Sequence, residues 1–284
     1  MKVLAKGMAL AMASFTVGCV TLEPGPIRDI EALTLYERGI QSFHAGQYQS
    51  AIKIFTDLVE ADPQSAEVWN ARGFVFAQLQ QWPAVIQDFQ EAIKQAPGNF
   101  QYQENLAIAY VEGGGPEIAI PIFSRLLNLH EESAKLWNLR GLAFSHLGKY
   151  REAIHDFSQA LRIDATLASA YANRAVAYVK LGDDSSAKTD LDRSIALDPR
   201  LPQAYESRGL LALRQGKIGL AVSDFTNALT LGADNGLLHY NRAIALSMRG
   251  DEKESEKEFQ LACDRQVFEG CGKTVTWDFE HQVL

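Results

Sequence analysis

An all-α solenoid of seven consecutive helix-turn-helix units is predicted for this chain of 284 residues. The first observation behind this is a 34-residue period that runs without insertion or deletion from Ala32 to Glu269. It sets units at 32–65, 66–99, 100–133, 134–167, 168–201, 202–235 and 236–269, and a fixed period in this range marks stacked repeats. The second is helical spacing of apolar residues in two short runs per unit. The third is a turn signal between the runs, often ending in glycine, with proline closing some of the second runs.

Numbering places from the first residue of each unit, small residues recur at places 8 and 20 and a large apolar residue at place 24. In the first unit these are Gly39, Ala51 and Phe55, with Ala45-Gly46 as turn and Asp62-Pro63 as stop. The second has Gly73, Val85 and Phe89. The third has Ala107, Ala119 and Phe123 around Gly113-Gly114-Gly115-Pro116. In the fourth, Trp137, Gly141, Phe144 and Leu147 fall at helical spacing before Gly148, and Ala153, Phe157, Ala160 and Leu161 follow it. The fifth has Ala175, Leu181-Gly182, Ala187, Leu191 and the stop Asp198-Pro199. The sixth has Gly209, Gln215-Gly216, Ala221 and Phe225, and the seventh Ala243, Arg249-Gly250, Ser255 and Phe259. Small residues at 8 and 20 let the paired helices approach, and the place-24 side chain fills the gap beside them.

The repeats also serve as an alignment internal to one chain. Place 7 carries Arg38, Arg72, Arg140, Arg174, Arg208 and Arg242, and place 23, opposite across the hairpin, carries Asp88, Asp156, Asp190, Asp224 and Glu258. The third unit has Leu106 and Ile122 there, so both charges are missing together, and Arg38 facing Ile54 is the exception. An ion pair is therefore expected in units 2, 4, 5, 6 and 7. The third unit departs further in Gln103, Pro121 and Glu131, through drift or because it marks a bend or a binding point.

These residues resemble the tetratricopeptide repeat (TPR) family over about five-sixths of the chain. The resemblance implies a right-handed superhelix whose first helices line a concave groove, chiefly through places 2, 5, 9, 12 and 13. Place 9 is apolar throughout, as Ile40, Phe74, Ile108, Leu142, Val176, Leu210 and Ile244, and place 12 adds Phe43, Val111, Val179 and Leu213. Tyr36 and Tyr240, with the polar Asn70, Glu104, Asn138 and Glu206, complete the candidate peptide-binding groove. Either this band is open to an extended or helical peptide, or it packs against the adjacent first helix; the larger residues are expected to be only partly covered. The family's clamp for chaperone C-terminal carboxylates is not matched. Asn173 and Asn241 fit its middle element, but Asn138, Leu142, Gln203 and Ser207 stand where its other asparagine and its cations should be.

Residues 1–18 read as a signal peptide and 19–31 as a tether. Lys2 and Lys6 begin an apolar run from Gly7 to Gly18, too short to span a bilayer and suited to a signal core. Thr16-Val17-Gly18-Cys19 resembles the lipobox of bacterial lipoproteins, which implies an acylated Cys19 at the mature N-terminus; an ordinary cleaved signal and an uncleaved anchor are the alternatives. Val20 after the cysteine implies, by the sorting rule of that family, an outer-membrane anchor facing the periplasm. Several acyl chains suffice for stable anchoring. Of the other cysteines, Cys263 and Cys271 are an even pair in an oxidising compartment, where a disulfide would staple the tail 270–284 to the last unit; two free thiols are the alternative.

The formal charge of −8 is a poor surface for nucleic acid, and no basic stripe interrupts it. His44, His130, His146, His155, His239 and His281 are scattered, without metal-ligand or nucleophile spacing. No catalytic residue, metal site or cofactor is expected, and the triple glycine reads as a loosened turn without the lysine of a phosphate loop. The expected function is a non-enzymatic, membrane-anchored scaffold for envelope proteins, resembling TPR lipoproteins of pilus secretin assembly or those that dock cell-wall hydrolases. Alternatives are a homo-oligomer that holds its own tail, with Trp277, Phe279 and Leu284, and a secreted periplasmic TPR protein without lipid.

Overall fold

The computed structural model describes residues 30–265, which contain fourteen α-helices and no strand. They fall into two compact bodies, 30–147 and 148–265. The first holds α1 (Ile30–His44), α2 (Tyr48–Ala61), α3 (Ala66–Gln78), α4 (Trp82–Gln95), α5 (Phe100–Glu112), α6 (Pro116–Leu129) and α7 (Ala134–His146). The second holds α8 (Tyr150–Ile163), α9 (Ala168–Lys180), α10 (Asp184–Leu197), α11 (Pro202–Arg214), α12 (Ile218–Thr230), α13 (Gly236–Arg249) and α14 (Glu252–Asp264). Odd-numbered helices are the first helices of the seven units and even-numbered ones the second. Within each body every helix packs on the next in sequence, as a helical repeat requires.

One backbone device recurs along the chain. Place 15 is left-handed in all seven units, at Gly46, Gln80, Gly114, Gly148, Gly182, Gly216 and Gly250, with φ between +54° and +91°. In six of them the next residue's N–H reaches back to the carbonyl at place 11, as Gln47 to Ser42 (2.9 Å), Gly115 to Tyr110 (2.7 Å) and Asp183 to Tyr178 (3.0 Å). This is the six-to-one bond that satisfies an orphan carbonyl at a helix end. Gly114 adopts the same geometry as its counterparts, so the triple glycine is a regular turn and not a loosened one. At the other junctions Asp62, Asp164 and Asp198 accept from the backbone N–H two residues on, closing Asx turns between units.

Packing follows the small and aromatic places. Phe55, Phe89, Phe123, Phe157 and Phe225 are fully buried, as are Ala51, Val85, Ala119, Ala153, Ala187 and Ala221. Each buried phenylalanine contributes about 1.5–3 kcal/mol by leaving water. Where place 8 is glycine the ring closes onto it: a Cβ on Gly39, Gly73 or Gly209 would sit 2.6–2.7 Å from the phenylalanine at place 24.

Four of the five expected ion pairs are seen directly. Arg72 grips Asp88 through two bonds of 2.9 Å, Arg174 grips Asp190 at 2.7 and 2.9 Å, Arg208 grips Asp224 twice at 2.9 Å, and Arg242 donates to Glu258 at 2.8 Å. In the third unit Leu106 and Ile122 pack in one apolar cluster where the charges would be. Four of these place-7 arginines also do something the covariation hides: one arm crosses to place 25 of the preceding unit. Arg72 bonds Thr56 (3.1 Å), Arg140 bonds Ser124 (3.0 Å), Arg174 bonds Ser158 (3.0 Å) and Arg208 bonds Asp192 (2.8 Å). The guanidinium lies between aromatic faces one turn either side, Trp69 and Phe76 for Arg72 and Tyr171 and Tyr178 for Arg174. Arg72, Arg174 and Arg208 therefore each join two helices of their own unit to the unit before it.

A second seam runs beside the first. Trp69 and Trp137 at place 4 donate their indole N–H to the carbonyls of Pro63 (2.9 Å) and Glu131 (2.8 Å), six residues earlier, and Tyr205 donates to Pro199 (3.2 Å). Gln103, an irregular residue by sequence, makes the same bond to Pro97 at 2.8 Å. Pro121 lies inside α6 without ending it. The helices of the third unit thus keep the lengths and the inter-unit bond of their neighbours.

Candidate functional site

First helices of successive units touch one another, α1 on α3 and α5 on α7 in the first body, α9 on α11 and α11 on α13 in the second. In each body the face these helices share carries its part of the candidate groove, whose residues fall into three groups.

The apolar band is mostly spent on packing. Phe43, Phe74, Val111, Leu142, Val176, Val179 and Leu210 are buried, Leu210 at 1% exposure. Phe74 stacks edge-on against Phe89 with centroids 5.4 Å apart, and Leu210, Val176 and Val179 belong to one core cluster. The expectation that the larger groove residues are only partly covered is therefore corrected for these: successive first helices approach closely enough to enclose place 9. Ile40, Ile108, Leu213 and Ile244 stay half-buried and present some apolar surface. Tyr36 and Tyr240 are buried as well, edge-on to Phe55 at 5.6 Å and Phe259 at 5.7 Å. Burial raises the Tyr36 hydroxyl far above its ordinary value.

Several polar groove residues are also committed. Asn70 is buried and accepts from the Asn105 side chain at 2.9 Å, a bond from place 5 of one unit to place 6 of the next. Glu104 is 2% exposed and held by Lys135 at 2.5 Å and Gln101 at 3.0 Å. Asn138 is buried too. A ligand would have to break these bonds to use Asn70 or Glu104.

Burial perturbs other titratable groups on this face, of which Glu206 was a candidate by sequence. Burial pushes the Glu112 carboxyl, at place 13, up to about 7, and holds the His146 imidazole, one unit further at the same place, below its usual value. In the second body burial pushes Glu206 up to about 7. On the first helices of the same body, Gln203 Oε1 and Asn241 Nδ2 are buried without a hydrogen bond. Lys180, at place 13, is lowered by burial and then by the neighbouring Arg214.

His239 is neither a bare surface group nor simple filler. It is buried between two carboxylates, with Nδ1 2.6 Å from Glu258 and Nε2 2.8 Å from Asp234. Asp234 also receives Arg265 at 2.8 Å, so the cluster ties the loop before α13 to both helices of the last unit. Among the described residues no group of histidine, cysteine and carboxylate side chains is arranged to hold a metal, and no helix is long and apolar enough to cross a membrane. Cys263 is half-buried and disulfide-bonded; Cys271, expected as its partner, and Cys19 lie outside the described residues.

The comparisons with known proteins agree with this geometry. Models described as tetratricopeptide repeat match residues 36–100, 206–266 and 168–201, and one described as TPR repeat matches 141–182. The chain belongs to the tetratricopeptide repeat family. A TPR protein crystal structure from Parabacteroides merdae is 20% identical with a TM-score of 0.67, covering 84% of this chain and 94% of that one. The Cut9-Hcn1 hetero-tetramer structure of the APC/C is also 20% identical, at TM-score 0.61, covering 76% of this chain and 42% of that one. MamA 41-end from Desulfovibrio magneticus RS-1 is 15% identical at TM-score 0.54, covering 60% of this chain and 97% of that one. These likenesses are of fold. A curated relative, the BBSome complex member BBS4 homolog of Drosophila melanogaster, is 24% identical over 103 residues. That match takes in 36% of this chain and 21% of the relative, so the chain spans about a fifth of its length.

Proposed function

We propose that this protein is a non-enzymatic scaffold, anchored in the bacterial envelope through an acylated Cys19, that holds segments of partner proteins along the inner face of its first helices. The observation that carries the reading is the TPR hairpins of the two bodies, because TPR repeats are protein-interaction modules and the first helices of each body present half-buried apolar residues, Ile40 and Ile108 in the first and Leu213 and Ile244 in the second, the second also holding unspent polar groups at Gln203 and Asn241. The lipobox resemblance, and Val20 after the cysteine, support an outer-membrane anchor facing the periplasm. Partners of the pilus-secretin or cell-wall-hydrolase kind fit an envelope scaffold of this size.

Two measurements test the two halves. Photo-crosslinking residues at Gln101 and Met248, exposed on the first helices, should capture a partner in the native envelope, while one at Lys188 on α10 should not. Equal capture at all three would end the inner-face reading. Cys19→Ala should move the chain from the membrane to the soluble fraction; retention in the membrane would end the lipid-anchor reading.

A further inference from the structure

Place 5 carries an acid in two units, and their surroundings differ. Glu104 is met by Lys135, which stands at place 2 of the following unit, at 2.5 Å. The residue in that position for Glu206 is Leu237, half-buried and apolar. No cation among the described residues pairs with Glu206, and burial alone accounts for its raised affinity for the proton. Glu206 is thus a half-buried acid without the counter-charge its equivalent has.

Two unspent atoms lie beside it by register. Gln203 is one turn earlier on α11, and its Oε1 is buried without a hydrogen bond. Asn241 is at place 6 of the next unit, the position from which Asn105 reaches Asn70 at place 5. The Asn241 side chain is 1% exposed, and its Nδ2 makes no such bond. In the first body the equivalent groups at places 2, 5 and 6 satisfy one another; here two acceptors and one donor are left over, which is costly for buried polar groups and asks for an explanation.

We propose that Glu206, with Gln203 and Asn241, is a recognition site for a lysine or arginine side chain on an extended segment of a partner protein. The proposal rests on the scaffold reading above and adds what the scaffold selects. An ammonium or guanidinium group brings the donors that Glu206 and Gln203 lack and the positive charge that Lys135 gives Glu104. A backbone carbonyl of the same segment would accept from Asn241. The net charge of −8 favours approach of a basic segment over an acidic one.

The test is selection of random-sequence peptides on the full chain at pH 8, where Glu206 is ionised. Selected peptides should fix lysine or arginine at one position. A synthetic peptide of the selected sequence should bind Glu206→Gln about tenfold or more weakly, and Leu237→Lys, which supplies the missing cation internally, as weakly. Replacing the fixed basic residue by methionine should cost the same factor on the wild type and nothing further on Glu206→Gln. Melting curves of Glu206→Gln, no lower than wild type, show that folding is not the cause. Peptides without a fixed basic residue, or equal binding to Glu206→Gln, would overturn this inference and leave the scaffold intact. Failure to select any peptide would overturn both.

Discussion

Removing Asp190 should destabilise the fifth unit far more than removing Asp190 together with Arg174. Asp190 is 5% exposed and receives both Nε and one terminal nitrogen of Arg174, at 2.7 and 2.9 Å, while the other terminal nitrogen holds Ser158 of the unit before. The hydrogen bond to Asp190 raises the affinity of Arg174 for its proton, so the guanidinium stays charged at any accessible pH. Asp190→Ala leaves that charge in place between Tyr171 and Tyr178 with its anion gone. Breaking a buried pair on one side costs about 3–5 kcal/mol, whereas replacing both partners by apolar residues is often close to neutral. At about 2–4 °C per kcal/mol for a chain of this length, the single variant should melt on the order of 10 °C lower. Arg174→Leu with Asp190→Ala should regain most of this, since Leu106 and Ile122 already show an apolar pair in the same places. The assay is thermal and urea unfolding of wild type, both single variants and the double. A double variant no more stable than Asp190→Ala would refute the argument, because the penalty would then come from lost contacts and not from a stranded charge.

Gly73→Ala should cost about 1–3 kcal/mol by overpacking, because its Cβ would meet the Phe89 ring at 2.6 Å. Phe89→Leu should relieve this, copying the Ala175 and Leu191 combination of the fifth unit, as urea midpoints will show. Gly182→Ala should cost about 1–2 kcal/mol through the backbone alone, since nothing lies within 4 Å of its Cβ at φ +81°; Gln80→Gly, at φ +54°, should be neutral or mildly stabilising in the same measurement. Glu206→Gln should show a pH signature. The folded carboxyl binds its proton more tightly than the unfolded one, about 7 against 4.5, so its penalty grows as pH rises between those values and is full above them. The variant should therefore be more stable than wild type at pH 8, by about 1–3 kcal/mol, and equal to it at pH 4; a gain that did not depend on pH would rule out titration as the cause.

The hairpins were legible because their determinants are local and repeated. The turn glycines of five units, a small place 8 and a large apolar residue at place 24 are read directly from the internal alignment, whereas the left-handed Gln80 has no glycine to announce it and the three glycines of the third unit hid that Gly114 takes the regular geometry. The arginine and acid pairs were legible because loss of one went with loss of the other, at Leu106 and Ile122. The third arm of the same arginines was not, because its acceptor changes type between Thr56, Ser124, Ser158 and Asp192 while keeping its geometry. Gln103 looked irregular for a similar reason: a side-chain amide replaces an indole as donor to the same carbonyl. The groove was the least legible part. An apolar residue at place 9 is equally compatible with core and with ligand surface, and the spacing of successive first helices decides which, burying Phe74 and Leu210 while leaving Ile108 and Ile244 half-covered. His239 was missed because its carboxylates lie five residues before it and nineteen after, a spacing set by the last hairpin.

Hydrogen exchange of the full chain, alone and with its photo-crosslinked partner segment, tests the central claim most directly. Binding along the shared face of the first helices predicts slowed exchange in α9, α11 and α13 of the second body, strongest around Glu206 and Asn241, with α10 and α12 unchanged. Protection concentrated in α10 and α12 would contradict it.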